Sequence, residues 1–437
     1  MQGGEVRLGD FRAEPAFEGG SRESEGSGKL AAVAAPTQPS NTTDVGTQLS
    51  AGRWPVFAQD EIDAATACLT SGKVNYWTGT EGREFEKELA AAFGTKYAIV
   101  LANGTLALEA ALMGLGVGPG DDVIVTPRSF LASVSSVVTL GARPIFADVD
   151  RDSGNLTAET IEAAWTPQTK CVIPVHLAGW PCEMGPIMDL AESRGAMVIE
   201  DCAQAHGARI DGKSVGSTGH CNSWSFCQDK IMTTAGEGGF VSLNDDEMWS
   251  RIWSYKDHGK SFEAVYKREH APGFRWLHES IGSNWRLTEP QSAIGRVQLR
   301  KLPEWVETRR ANAAVLTEIL GDLDVIRIPQ PREGLYHSMY KYYVYLNPDR
   351  MADGWTQLRV VEEISAQGIP AFVGSCSEIY REKAIADLGL APEQALPVAK
   401  ELGETSLMFL VHPTLDRAFM ERAAGVIRDV LLRATRA

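Results

Sequence analysis

The sequence lacks the features of a membrane protein or a nucleic-acid-binding protein. None of its apolar runs approaches the roughly 18 residues that a membrane-spanning helix needs, and its first residues contain no apolar core of signal-peptide type. Positive charge is in deficit, because 42 Lys and Arg stand against 57 Asp and Glu, which gives a net charge of −15. A nucleic-acid binder usually presents a basic face. We therefore predict a cytoplasmic protein that binds neither a nucleic acid polymer nor a membrane.

Cysteine is scarce and irregularly spaced. The seven cysteines of the 437-residue chain include no Cys-x-x-Cys pair, and an odd number in a long chain is not typical of a disulfide framework. The pattern predicts reduced, mostly buried thiols, and we predict no metal site.

Residues 1–50 have little that could form a core. They are rich in Gly, Ser, Glu and Ala and show no apolar periodicity. We predict a disordered extension, with a short partner-binding arm as the alternative.

The rest of the chain alternates short apolar strands with helices, which is typical of an α/β domain with a largely parallel sheet. Seven strands are predicted, at Tyr97–Leu101, Val123–Val125, Pro144–Ala147, Cys171–Val175, Met197–Ile199, Ser223–Phe226 and Phe240–Leu243. They predict a large domain over residues 51–300. Two long helices, Pro290–Leu302 and Val306–Leu320, then precede isolated strands, which predicts a smaller α+β domain over 301–437.

Ligands in open α/β sheets bind at the carboxyl ends of the strands, so polar residues there are candidates for chemistry. Lys230 follows a strand that ends near Ser225 and precedes a Gly-Glu-Gly-Gly turn. Lysine forms a Schiff base with carbonyl cofactors, although a lysine before such a turn is more often a solvated loop residue. Asp201 ends an apolar strand, where a carboxylate can hold a pyridine nitrogen protonated or cap a helix. Gln204 could donate to a phenolate, whereas we interpret His206 as structural.

Three other segments offer binding groups, each with a simpler alternative. Asn103, Gly104 and Thr105 precede a helix, where backbone N–H groups can hold a phosphate or form an ordinary capped turn. Phe130 could stack on a planar ring or belong to the core. Arg286 could clamp a carboxylate or pair with an acid at the surface.

These segments follow one another at the spacing of whole βα units. In this order they resemble the DegT/StrS group of sugar aminotransferases, which depend on pyridoxal 5′-phosphate (PLP) and have fold type I. The matching segments are Asn103–Leu108, Gly118–Val125, Val175–Gly179, Glu200–Ala208, Ser225–Gly239, His258–Gly259 and Gly282–Leu287.

The resemblance implies a role for each matching residue. Lys230 would bind PLP covalently, Asp201 would pair with the pyridine nitrogen, and Gln204 would lie beside the phenolic oxygen of the ring. Phe130 would stack on the ring. The phosphate would be held by Gly104, Thr105 and Ser225.

Three further matches lie near residue 280 or in the preceding loop. Asn284 corresponds to an asparagine that reaches the phosphate from a second subunit, which implies a homodimer with shared active sites. Arg286 corresponds to the arginine that binds the carboxylate of the amino donor. His258 lies in a loop that commonly lines the sugar-nucleotide site.

The activity implied is transfer of an amino group from L-glutamate to a keto-sugar nucleotide, which makes an amino-sugar for polysaccharide, including lipopolysaccharide, or for glycosides. Two alternatives stay open: a cyclitol ketone or other non-nucleotide acceptor, and a non-catalytic PLP-fold protein that acts as a regulator or scaffold.

The sequence departs from the family pattern at two positions. Arg128 stands where an apolar or aromatic residue is commoner, which predicts a different substrate wall, and Asp229 puts a charge directly before Lys230. In the loop that contains His258, Lys256 and Lys260 predict a basic region for an anionic substrate, or a solvated basic loop.

Overall fold

The computed structural model describes residues 52–436, so the extension predicted over residues 1–50 lies outside the described part. The strands are β1 (Tyr97–Leu101), β2 (Asp122–Val125), β3 (Arg143–Phe146), β4 (Thr169–Ile173), β5 (Met197–Asp201), β6 (Arg209–Ile210), β7 (Lys213–Ser214), β8 (Cys221–Ser225), β9 (Gly239–Leu243), β10 (Ile326–Arg327), β11 (Leu335–Tyr336), β12 (Tyr342–Leu346), β13 (Ala371–Phe372) and β14 (Ser406–Phe409).

The α-helices lie between and after these strands. They are α1 (Gln59–Ser71), α2 (Glu81–Phe93), α3 (Gly104–Gly114), α4 (Ala132–Thr139), α5 (Ala158–Ala163), α6 (Met184–Ser193), α7 (Asp246–Tyr255), α8 (Phe262–Tyr266), α9 (Glu289–Leu320), α10 (Gln357–Ser365), α11 (Lys383–Ala386), α12 (Pro397–Thr405) and α13 (Arg417–Ala434). Short 3₁₀ turns occur at Leu177–Gly179, Pro348–Arg350 and Ile379–Arg381. No helix within residues 52–436 is both long and apolar enough to cross a bilayer.

The central sheet has seven strands in the order β1-β9-β8-β5-β4-β2-β3. Only β9 runs antiparallel to its neighbours, and the other pairs are parallel. The predicted seven-stranded, mostly parallel sheet is therefore confirmed.

Helices cover both faces of this sheet, which explains why most of its strands are rich in apolar residues; β8, with buried Asn222 and Ser223, is an exception. Val123 and Val125 pack on the side of α3, α4 and α7, whereas Ile124 and Val172 pack on the side of α5 and α6. All four side chains are fully buried. The polar side chains of this region are consequently concentrated at the strand ends.

A second sheet, in the order β10-β12-β14-β13, is built from the C-terminal part of the chain and is antiparallel throughout. It packs with α10, α13 and the end of α9 around a separate apolar core. This is the smaller α+β region of the predicted fold class. The boundary at residues 300 and 301 falls inside α9 and stays a prediction.

The two helices predicted around residue 303 are wrong, because the structure has one helix of 32 residues with Pro303 inside it. Proline removes one backbone hydrogen bond and usually kinks or ends a helix. Here Leu302 and Val306 are buried on either side of the proline, and their packing keeps the chain helical.

A buried carboxylate ties the loops around β5 to that strand. Glu200 is fully buried, and its oxygens accept hydrogen bonds from the backbone N–H groups of Gly216 (2.8 Å), Thr218 (2.8 Å) and Gly219 (2.7 Å). Nε2 of His176 is 2.9 Å from the same carboxylate. Burial raises the pKa of Glu200, but the hydrogen bonds from His176 and the backbone outweigh it and lower the pKa overall.

We expect Glu200→Gln to lower the free energy of unfolding by about 3 kcal/mol, because an amide N–H₂ would face backbone donors in a buried site. Urea unfolding measures the change. Glu192→Gln, at an exposed position of α6, is the matched control. A loss no larger than that of the control would contradict the structural role of Glu200.

Candidate active site

An open cavity of about 990 Å³ lies at the carboxyl ends of β1, β5 and β8. It contains seven of the ten residues that the sequence predicted for the site. They are Gly104, Thr105, Phe130, Asp201, Gln204, Ser225 and Lys230. The structure thus brings together segments more than 100 residues apart.

Asp201, the last residue of β5, forms a buried part of the cavity wall with only 3% of its surface exposed. Ser133 donates from Oγ to Oδ2 of Asp201 at 2.9 Å, and the N–H of Ala203 donates to Oδ1 at 3.1 Å. Burial raises the pKa of the Asp201 carboxyl, although these hydrogen bonds and the charge of Lys230 act in the opposite direction. A positively charged group in the cavity would therefore stabilise the ionised carboxylate.

Gln204 is oriented by the backbone. Its Oε1 accepts a hydrogen bond from the N–H of Ala178 at 2.8 Å, and Ala178 adopts a left-handed conformation with φ of 56°. Because the oxygen is engaged, the amide N–H₂ is the end of the side chain that can donate to a ligand.

An anion cradle is formed where β1 passes into α3. Asn103 caps the helix by accepting from the N–H of Leu106 at 2.9 Å, and the N–H groups of Gly104 and Thr105 belong to the first turn, which has no intrahelical acceptors. A Cβ at Gly104 would lie 2.6 Å from Cβ of Ser225. Only glycine therefore allows the helix to start this close to the end of β8.

Lys230 lies in the loop between β8 and β9, and its side chain is 14% exposed. The indole N–H of Trp54 donates to the Lys230 carbonyl oxygen at 2.9 Å, which fixes the backbone of this loop. Nζ of Lys230 lies 3.9 Å from Oδ1 of Asp229, too far for a direct hydrogen bond. The amine is thus held in the cavity without a close acceptor in Asp229.

Phe130 and Arg128 differ from their expected surroundings. Phe130 is 70% exposed at the cavity, so the alternative that it belongs to the core is wrong. Arg128 is fully buried, donates to Oγ of Ser377 at 2.7 Å and lies 5.4 Å from the ring centroid of Tyr343. Arg128 does not itself line the cavity, and the different substrate wall expected from it stays a prediction.

His258, Asn284 and Arg286 lie outside the cavity lining, in a cluster at the sheet edge. Arg286 donates to Asp257 at 2.6 Å and pairs through its backbone with Leu101 at the end of β1. The backbone of Asn284 forms an antiparallel β-bridge with that of Asp257, and the backbone N–H of His258 donates to the carbonyl of Ser283 at 2.9 Å. Asn284 and His258 are exposed. The proposed ligand contacts of all three remain predictions.

Lys256 and Lys260 do not provide the free positive charge that was expected of them. Lys256 is fully buried, and its Nζ donates to Glu86 at 2.7 Å. Lys260 donates to Asp257 at 2.9 Å. Both ammonium groups already pair with carboxylates of the chain.

Several cavity residues were not predicted, and nine of the lining residues come from the C-terminal part of the chain. Ser133 is one helical turn past Phe130, but no pattern in the sequence shows that it contacts Asp201. The others of most interest are Tyr340, Lys341, Tyr343 and Cys376. Tyr343 lies in β12, and Tyr340 and Lys341 directly precede that strand. Their place near Lys230 depends on tertiary packing.

The fold and site define a class of enzyme: a fold-type-I protein of the aminotransferase group, with a lysine and a buried carboxylate at the carboxyl edge of its main sheet. The profile of the DegT/DnrJ/EryC1/StrS aminotransferase family matches residues 55–428. The chain belongs to this family and is an aminotransferase.

Individual relatives agree with this assignment. A solved structure of an aminotransferase from Psychrobacter cryohalolentis has 52% sequence identity and a TM-score of 0.86, and the match covers 87% of this chain and 99% of that one. UDP-N-acetyl-3-dehydro-alpha-D-glucosamine 3-aminotransferase from Acidithiobacillus ferrooxidans is 35% identical over 81% of this chain and 89% of its own length. 3-Amino-5-hydroxybenzoate synthase from Amycolatopsis mediterranei is 32% identical over 87% of this chain and 97% of its own length.

The imidazole ring of His206 is buried and packs against aromatic side chains. Its centroid is 5.2 Å from that of Trp224 and 5.7 Å from that of Phe226, and neither ring nitrogen has a hydrogen-bond partner among the described residues. Burial, with the charges of Lys230 and Arg309, lowers its pKa to about 3 from 6.5.

The lowered pKa makes stability depend on pH. Below pH 6.5 His206 is protonated in the unfolded chain, but in the folded chain it stays neutral down to about pH 3. The free energy of unfolding therefore decreases as the pH falls between these two values. Between pH 7.5 and 5.0 we expect His206→Leu to remove about 2 kcal/mol of this loss, measured by urea unfolding at both values. His278→Leu, at an exposed position, should leave the loss unchanged. If His206→Leu lost as much stability as the wild type between these two pH values, the lowered pKa of His206 would be contradicted.

Proposed function

We propose that this enzyme is a cytoplasmic, PLP-dependent aminotransferase that moves the amino group of L-glutamate to a keto-sugar nucleotide. The product would be an amino-sugar for polysaccharide or glycoside synthesis. The observation that carries the proposal is that Lys230 and the buried Asp201 line one cavity, beside an anion cradle. The named activity of the Acidithiobacillus relative supports a keto-sugar nucleotide as acceptor.

The cavity residues fit PLP. Bound PLP supplies an aldehyde for a lysine amine and a ring that acts as an electron sink. Lys230 would hold the cofactor covalently. Asp201, whose pKa is raised by burial, would gain a cationic partner from a protonated pyridine nitrogen. Phe130 would cover the ring, and the N–H₂ of Gln204 would donate to its phenolic oxygen.

The phosphate would occupy the cradle at the start of α3. The backbone N–H groups of Gly104 and Thr105 and the hydroxyl of Ser225 would bind its oxygens, helped by the positive end of the helix dipole. The close contact between Gly104 and Ser225 would bring these donors onto one group.

Lys230 would also move the reacting proton. When its amine is free, Nζ of Lys230 would take the α-proton of the amino donor. The buried Asp201 carboxylate would keep the pyridine nitrogen of the cofactor protonated. Arg286 would bind the donor carboxylate, and His258 would face the sugar nucleotide. We propose that both act, with Asn284, on the cavity of a partner subunit in a homodimer, because none of the three lines the cavity of its own chain.

The decisive experiment combines a spectrum with a substrate panel. We expect the purified protein to develop visible absorbance with PLP, to lose it on addition of L-glutamate, and to aminate at least one member of a panel of keto-sugar nucleotides. Lys230→Ala should lose the absorbance and the turnover, by at least about 10³-fold, because it removes the nucleophile. Lys213→Ala, at an exposed position, is the matched control.

Other outcomes separate the alternatives. Product from a cyclitol ketone or an aromatic ketone alone would favour a non-nucleotide acceptor, an outcome made concrete by a relative whose name, 3-amino-5-hydroxybenzoate synthase, contains no sugar. A PLP spectrum that glutamate leaves unchanged would favour a non-catalytic protein. A colourless protein under saturating PLP would overturn the proposal.

A mixing experiment tests the shared sites. Lys230→Ala and Asn284→Ala should each be inactive or weak alone, and each dimer that contains one chain of each should have one complete site. Random reassociation should restore about a quarter of wild-type activity, because about half of the dimers are mixed and half of their sites are intact. No recovery, with mixed dimers verified by mass, would mean that Asn284 acts within its own subunit.

A further inference from the structure

One carboxylate, that of Asp229, is shared by two lysines of the cavity. Oδ1 of Asp229 is 3.9 Å from Nζ of Lys230, and Oδ2 is 3.9 Å from Nζ of Lys341. Both lysine side chains are mostly buried, 14% and 19% exposed, and both residues line the cavity. Neither amine is within hydrogen-bond distance, so the Asp229 carboxylate, whose side chain is 56% exposed, lies between the two lysines without a direct hydrogen bond to either.

Tyr340 fixes this arrangement. Its hydroxyl donates a hydrogen bond to Oδ2 of Asp229, and its ring centroid lies 5.0 Å from Nζ of Lys230 and 4.7 Å from Nζ of Lys341. The backbone N–H of Tyr340 donates to the carbonyl of Ala178 at 2.9 Å. Ala178 is also the residue that orients Gln204, so the tyrosine is anchored to the cavity wall.

The charged groups near Asp229 come from several elements of the fold. Arg309 of α9 is buried and donates to the carbonyl of Tyr340 at 3.2 Å, while Asp201 is the buried acid of β5. Burial lowers the pKa of His206 to about 3 and that of His412 to about 4, so both rings are neutral near pH 7. Three cations, Lys230, Lys341 and Arg309, therefore lie in this region with the carboxylates of Asp201 and Asp229, and two further acids, Glu237 and Glu382, also line the cavity.

Burial also affects Lys341 itself. It lowers the pKa of Lys341 to about 8, with the charges of Arg309 and Lys230 acting in the same direction and that of Asp229 opposing them. Lys341 is consequently still mainly protonated at neutral pH and can hold Asp229.

We propose that Tyr340 and Lys341 are positioning residues that hold the Asp229 carboxylate away from Lys230, so that the Lys230 amine stays free to bond to the aldehyde of PLP. This inference rests on the proposed function. The bond would form when the unprotonated Nζ attacks the aldehyde carbon; the nitrogen would give up both of its hydrogens, and the aldehyde oxygen would leave with them as water. A carboxylate in direct contact would favour the ammonium form, which has no lone pair for this attack.

The test measures carbonyl capture instead of turnover. The full-length protein is incubated with PLP across a range of pH, reduced with borohydride, and the fraction of Lys230 that carries the cofactor is measured by peptide mass. In Lys341→Met we expect the pH midpoint of capture to rise by about 1 pH unit, because the released carboxylate moves onto Lys230. Tyr340→Phe, which keeps the ring, should shift it in the same direction, and Lys341→Arg should restore the wild-type midpoint.

A double variant shows whether Lys341 acts through Asp229. In an Asp229→Asn background, Lys341→Met should raise the midpoint by less than half as much as it does in the wild type. An equal rise in both backgrounds would mean that Lys341 repels the Lys230 ammonium directly, which would overturn the proposal. Lys213→Met, at an exposed position, should not move the midpoint.

The two proposals fail in different ways. If wild-type Lys230 is not trapped at any pH, the proposed function fails. If the wild type is trapped but neither Lys341→Met nor the milder Tyr340→Phe moves the midpoint, only the positioning role fails. Circular dichroism of each variant establishes that the folded protein is being compared.

Discussion

Two neighbouring carboxylates at the end of β5 determine how the site is built. Glu200 and Asp201 are adjacent in a strand, so their side chains point to opposite sides of the sheet. Glu200 is fully satisfied by three backbone N–H groups and His176. Asp201 receives only one hydroxyl and one N–H. The first acid therefore stabilises the loops, and the second remains able to bind a cation in the cavity.

Much of the sheet was predictable because burial on both faces makes most of its strands rich in apolar residues. Lys230, Asp201 and Gly104 were also predictable, since each closely follows or ends such a strand. Even so, their assignment to a cofactor came from the family resemblance, because each alone has a common structural explanation. The break expected between two helices near Pro303 did not occur, since packing on both sides of the proline overrides the local preference of the backbone.

Features that depend on long-range contacts could not be read from the sequence. Lys256 was expected to be a free cation, but Glu86, 170 residues away, neutralises it. Tyr340 and Lys341 reach the cavity only because the backbone of Tyr340 bonds to the turn at Ala178. Asp229 was noted as a charge beside Lys230, and only the fold reveals the second lysine that competes for it.

The hydrogen bond from Trp54 to the carbonyl of Lys230 joins the first described residues to the middle of the chain. Trp54 also packs edge-on against Trp305 of α9, with ring centroids 5.1 Å apart. The segment before α1 therefore stabilises the loop that contains Lys230. Shortened versions of the protein designed for crystallisation should begin upstream of this tryptophan, and an affinity tag fused directly to it would disturb the loop that holds the amine.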